Sequence, residues 1–118
     1  MTSKIRQLCE AVGGNYDELM QRLVSEEFVT RFVVRFLSDD TFAQLKQSME
    51  AGDVETAFRM AHTLKGVAQN LGFGNLGRSA SLLTEVLRQK TFDGTEQLFA
   101  RVTTDYDNVI AAVKSILL

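Results

Sequence analysis

No proline interrupts the 118 residues of this chain, and its apolar residues recur at spacings of three and four. Proline is the residue that most sharply stops a helix. A three–four recurrence is the period of a helix with one buried face. The alternation that a half-buried strand needs is rare here, so the sequence predicts an all-α fold.

The breaks between helices are local and readable. Ile5 to Val12 forms a short first helix that ends at Gly13-Gly14, where a left-handed cap is easy. Asn15 caps a second short helix, with Glu18 in capping-box position and Leu19, Met20 and Leu23 on the apolar face. Ser25 starts the next, which carries Phe28, Val29, Phe32, Val33, Phe36 and Leu37. Aromatics at this spacing read as core before they read as a ligand pocket. Ser38-Asp39-Asp40 interrupts or restarts the pattern, because these side chains compete for backbone hydrogen bonds. One kinked helix and two separate helices both fit, with Phe42, Leu45 and Met49 continuing to Gly52.

Asp53 reads as the N-cap of a helix running to about Leu71, followed by a Gly72-Phe73-Gly74 turn. Asn75 then caps a helix with Leu76, Ala80, Leu83 and Leu87 on one face. After a break at Phe92-Asp93-Gly94, the last helix starts near Thr95. It places Leu98, Phe99, Val102, Tyr106, Val109, Ile110, Val113 and Ile116 or Leu117 on a long stripe. Four longer units joined by short turns predict an antiparallel four-helix bundle over about residues 25–118, with the short helices of about 3–24 packed at one end. The span 1–118 is expected to form a single domain.

Composition narrows the function. A net charge of −2 offers no basic footprint for nucleic acid. No apolar run approaches the length of a membrane span, and the N-terminal MTSKIRQLCEAV lacks the pattern of a signal peptide, so a cytoplasmic location is expected. Cys9 is the only cysteine and shares a helix face with Ile5, Leu8 and Val12, which reads as core filling. One cysteine and one histidine cannot assemble a protein-only zinc site, so no metal is expected. Asp39-Asp40 and Asp105 with Asp107 lack the glycine and glutamate of an ordered calcium loop and are expected to be caps and solvated surface. Arg59 and Arg78 are candidate partner contacts, weighed against ordinary solvation of a helix face.

The single histidine, His62, lies inside AHTLKGVAQNLG. On a helical projection Val54, Ala57, Phe58, Ala61, Leu64, Ala68 and Leu71 fall in one apolar sector, and His62 points about 115° from its centre. The imidazole is therefore expected to be exposed. Lys65, Gly66 and Gln69 lie near the same side. Gly66 is the costly choice, since a mid-helix glycine loses about 1 kcal/mol relative to alanine. Either it keeps the surface bare beside His62 for an approaching molecule, or it lets two helices pack closely. An imidazole is a nucleophile near neutral pH, and a neighbouring lysine supplies positive charge for a phosphoryl group. The chain has no second histidine and no nucleotide-binding glycine loop, which suits a phosphoryl acceptor and donor better than a complete enzyme.

The run Ala61 to Arg88 resembles the signature of histidine-containing phosphotransfer (HPt) domains. It carries Ala61-His62-x-Leu64-Lys65-Gly66, then Gly72, Leu76, Ala80 and Leu83 at that family's spacing. Upstream, Phe32 to Leu37 and Ala51-Gly52-Asp53 resemble the preceding helix and turn, so the similarity spans roughly Phe28 to Arg88. Thr84 departs from it, standing where many members have a glutamate.

The resemblance implies a helical bundle in which His62 takes a phosphoryl group from a receiver-domain aspartyl phosphate and passes it to another receiver aspartate. Lys65 and Gln69 would flank the phosphohistidine, and Gly66 would leave room for the receiver. Expected partners are receiver domains of response regulators or hybrid sensor kinases, with Mg²⁺ on the receiver and no cofactor on this chain, which is expected to be a monomer. The alternative is a non-catalytic helical adaptor that keeps the fold without the transfer. A self-contained kinase is disfavoured, because no ATP-binding region fits in the remaining residues.

Overall fold

The computed structural model describes residues 2–118. Among them the chain forms seven helices and no strand: α1 (Lys4–Val12), α2 (Tyr16–Leu23), α3 (Glu26–Phe36), α4 (Thr41–Ala51), α5 (Val54–Asn70), α6 (Gly74–Leu87) and α7 (Thr95–Leu117). The all-α reading therefore holds. Among the described residues no helix is long and apolar enough to cross a membrane.

Local chemistry accounts for most boundaries. Ser3, Asn15, Ser25 and Asp53 each accept a backbone N–H of the following helix through a side-chain oxygen. Gly13 and Gly52 close α1 and α4 in the left-handed conformation, with φ of 72° and 73°. The stretch around Ser38 makes two helices and not one. The N–H groups of Leu37, Ser38 and Asp39 bond back to the carbonyls of Val34, Arg35 and Phe36, tightening the end of α3. The Thr41 N–H then donates to Asp39 Oδ1 at 2.8 Å and starts α4.

Helix α5 packs between α4 and α6, α6 packs on α7, and α1 lies against α7. An aromatic cluster ties the ends together. The Phe42 ring of α4 stacks on Tyr106 of α7 (4.1 Å, 9°) and on Phe99 (6.0 Å), while Phe36 of α3 meets Phe73 edge-on (5.1 Å, 64°) and tilts against Tyr106. Cys9 is buried among apolar neighbours, as expected, and that burial pushes its thiol pKa up. Tyr16 of α2 donates its hydroxyl to Glu26 of α3 beneath the Arg6 guanidinium of α1, linking the three N-terminal helices.

Three sequence expectations need correction. Phe28 and Phe32 are not core: they are 49% and 38% exposed, because α3 buries the neighbouring line Val29, Val33 and Phe36. Asn75 is not the N-cap of α6. The helix begins at Gly74 after Phe73, whose fully buried ring anchors the turn, and Asn75 accepts instead from Arg78. Asp105 is not solvated surface; it is 8% exposed, on the same face of α7 as buried Val102 and Val109.

The turns α1–α2 and α5–α6 touch backbone to backbone. A Cβ on Gly14 would sit 2.1 Å from the Gly72 carbonyl oxygen, and one on Gly74 would sit 2.0 Å from that of Gly13. Only glycine fits this approach. Gly66 is the opposite case, since a Cβ there meets nothing within 4 Å. Gly14→Ala should therefore destabilise the protein by about 1–3 kcal/mol through overpacking, whereas Gly66→Ala should stabilise it by about 0.5–1 kcal/mol through helix propensity. Denaturant unfolding of the two variants beside the parent checks the opposite signs.

Candidate functional site

The site is built on α5. Asp53 caps it by accepting the Thr56 N–H at 3.1 Å, and hydrogen bonding from the Thr56 side chain and backbone holds the Asp53 carboxyl below its ordinary pKa. Ala57, Ala61, Leu64 and Ala68 follow at spacings of four and three and are completely buried. Three of these four are alanine, so the neighbouring helices can approach α5 closely. With that side sealed, His62, Gly66 and Gln69 all face solvent. Lys65 is half-buried at the edge, with its stem along the surface as expected.

Helical geometry orders these residues along one line. Gln69 lies within about 20° of the direction of His62 and about 10 Å along the axis, and Gly66 falls between them. The bare surface at Gly66 is therefore a notch in the ridge that runs from His62 to Gln69. The close-packing explanation of this glycine fails. That role belongs to Gly77 on α6, where a Cβ would stand 3.1 Å from Cγ of Gln69.

The two ion pairs among the described residues are Arg31–Glu27 and Arg88–Glu85, so the Lys65 ammonium has no carboxylate partner there. About one helical turn, roughly 4.5 Å of rise, separates it from His62. Lys65 is thus better placed than Gln69 to meet a group carried on the imidazole. Arg59 is exposed and donates to Thr56 Oγ1 at 3.2 Å. It points along its own helix and makes no contact with the ridge that the structure records.

Sequence reasoning missed several neighbours of the site. The Phe58 ring lies nearly parallel to that of His62, at 5.9 Å and 11°, and the Arg88 guanidinium of α6 covers Phe58 at 5.0 Å. The i, i+4 spacing of Phe58 and His62 was a readable signal for the first contact; nothing local pointed to Arg88. At the other end of α5, Arg22 of α2 donates to the carbonyls of Gln69 and Asn70 at 2.8 and 3.1 Å, satisfying acceptors that the helix end leaves open. Beside them, Phe32 and Arg35 of α3 line a shallow groove with Val67 and Asn70. Thr84, at the position of the departure, is fully buried and donates to the Ala80 carbonyl at 2.6 Å.

An exposed nucleophile beside an unpaired cation and a bare notch is suited to accepting an anionic group from a partner surface. The family model described as Hpt domain matches residues 34–112, which includes all of α4, α5 and α6 and most of α7. No curated protein and no solved structure matches the chain. Hpt domains are phosphotransfer modules of two-component phosphorelays and interact there with receiver domains. With two thirds of its length matched and an all-helical fold to carry it, the chain belongs to the histidine-containing phosphotransfer (Hpt) domain family.

Proposed function

We propose that His62 is the phosphoacceptor of a phosphorelay intermediate, taking a phosphoryl group from a receiver aspartyl phosphate and returning it to a receiver aspartate. The observation that carries this reading is the exposed imidazole on α5, the only one in the chain, next to open space at Gly66. In the forward step an imidazole lone pair forms the N–P bond while the acyl P–O bond breaks, and the electron pair leaves on the partner's carboxylate. The other ring nitrogen keeps its proton, so the phosphorylated ring is cationic. The reverse step regenerates the neutral imidazole. Mg²⁺ on the receiver would neutralise phosphoryl charge from the partner side, and Lys65 would do so from this side.

In this reading residues of about 25–118 form the antiparallel four-helix bundle of a single domain spanning 1–118, with α3 and α4 together making one of its four units and the short helices α1 and α2 packed at one end. The protein works as a cytoplasmic monomer without ATP-dependent kinase activity of its own. The receiver, from a response regulator or a hybrid sensor kinase, lies over the His62–Gln69 ridge and extends onto α3. The exposed rings Phe28 and Phe32, with exposed Val24 in the turn before α3, support that extension, because Phe32 reaches α5 through the groove at Val67 and Asn70. Arg31, paired with Glu27, and Arg35 cover the two rings, and Arg35 adds a positive charge suited to the acidic surroundings of an aspartyl phosphate. A purely non-catalytic adaptor would have no need of His62, Lys65 and Gly66 together.

His62→Gln should abolish acid-labile labelling by a phosphorylated receiver while leaving the helical circular dichroism unchanged, since the side chain is exposed and its loss opens no cavity. Labelling of a folded His62→Gln protein would overturn the assignment. Lys65→Ala should slow transfer about tenfold, less than the roughly 100-fold loss of a buried oxyanion donor, because a half-exposed charge is screened. Quench-flow transfer at two salt concentrations checks both the size and the screening. Gly66→Leu should keep or raise the melting temperature yet slow transfer by at least about tenfold, because a side chain in the notch obstructs the approach of the aspartyl phosphate. Thermal melts run beside the transfer assay separate these effects.

A further inference from the structure

We propose that Phe58 is a positioning residue that holds the His62 imidazole in the orientation from which it attacks phosphorus; this rests on the phosphotransfer reading. His62 stands on an exposed helix face, and a solvent-exposed imidazole ordinarily samples several rotamers. Here its ring lies parallel to that of Phe58, one turn back along α5, with centroids 5.9 Å apart and planes within 11°. The phenyl ring is itself fixed. It is half-buried, packs at the edge of the core, and lies in a groove with Val54 and Leu87. Its cationic neighbour is Arg88, whose guanidinium carbon is 5.0 Å from the ring centroid and whose Nε and Nη2 donate to Glu85 Oε2 at 3.3 and 3.2 Å. A chain of contacts thus runs from Glu85 on α6 through Arg88 and Phe58 to the nucleophile. It spans the α5–α6 interface, so the ring that His62 leans on is held by two helices.

The consequence for the reaction is geometric. In-line displacement requires the attacking nitrogen, the phosphorus and the leaving carboxylate oxygen to be nearly collinear, and a fixed ring plane reduces the search for that arrangement. As the N–P bond forms and the acyl P–O bond breaks, the electron pair goes to the partner's carboxylate and the imidazole becomes cationic. The Arg88 guanidinium already lies over the Phe58 ring at 5.0 Å, so that ring fixes the plane of the imidazole and supplies no charge to it. A phenyl group can do this without competing for the phosphoryl group, which a hydrogen-bonding neighbour would do.

The test compares Phe58→Leu, which keeps apolar bulk and removes the flat ring, with Phe58→Tyr, which restores the ring. Imidazole carbon and proton resonances of the full chain report the stack directly, and single-turnover transfer from a phosphorylated receiver is measured across receiver concentrations. Phe58→Leu should abolish the ring-current shift of the His62 protons and increase ring motion. It should lower the saturated transfer rate about tenfold with the half-saturating receiver concentration changed by less than about twofold. Phe58→Tyr should restore both. A Phe58→Leu protein that is folded, has lost the ring-current shift and still transfers at the parental rate overturns the positioning role while leaving His62 as the phosphoacceptor. If the parent chain shows the stacked imidazole but takes no phosphoryl group from any receiver, the phosphotransfer reading falls instead, and the role of Phe58 falls with it. A Phe58→Leu effect that appears only in the half-saturating concentration would assign the ring to docking and overturn the proposal.

Discussion

Everything about the site follows from the sealing of one side of α5. Ala57, Ala61, Leu64 and Ala68 are inaccessible to solvent, and the three alanines among them let α4 and α6 close over that face. A helix so tightly held cannot roll about its axis without opening voids or exposing the line it buries. The opposite line of residues is therefore pointed outward by the core, with no loop needed to present it. His62 needs no polar support to stay exposed; the packing behind it supplies the direction. This is the reverse of a buried catalytic histidine, whose ring is aimed by hydrogen bonds.

The ends of α5 are held by different means. At its start, the Asp53 carboxylate satisfies an open N–H group. At its finish, Arg22 reaches across from α2 to the last carbonyls, and the turn that follows is pressed against Gly13 and Gly14. The glycines consequently divide into two kinds. Those at 13, 14, 72 and 74 are required by close approach or by a left-handed backbone. Gly66 is required by neither, and it weakens its own helix. A residue that costs stability where the fold offers it no return points toward an external partner.

Helix existence and most boundaries were legible because their causes are local. Asn15, Ser25 and Asp53 cap where they were expected to, and the exposure of His62 followed from the phase of the α5 pattern. The failures share a cause as well. Periodicity identifies an apolar face but not its width or what covers it, so it places Phe28 and Phe32 in a core that ends at the adjacent line of Val29, Val33 and Phe36. Asn75 looked like a cap by residue type, yet the burial of Phe73 fixed an earlier start. Asp105 reads as solvated by residue type alone, although it stands three residues after Val102 and four before Val109, in phase with the buried stripe of α7. The Phe58 stack needed only i, i+4 arithmetic, but the Arg88 contact depends on how α6 returns along α5, which no local pattern encodes.

The exposed apolar residues of α3 and of the turn before it have a bearing beyond docking. Val24, Phe28 and Phe32 all precede residue 34, where the match to the Hpt family begins, whereas His62, Lys65, Gly66 and Gln69 all lie within it. The proposed phosphoacceptor and the proposed address are thus written in different stretches of the chain and carried by different elements. Selection could retune the address, exchanging one apolar or charged side chain for another on an already solvated face, without disturbing either the core or the nucleophile. A relay that must keep similar receivers apart would gain a way to diverge in its wiring while its chemistry stays fixed.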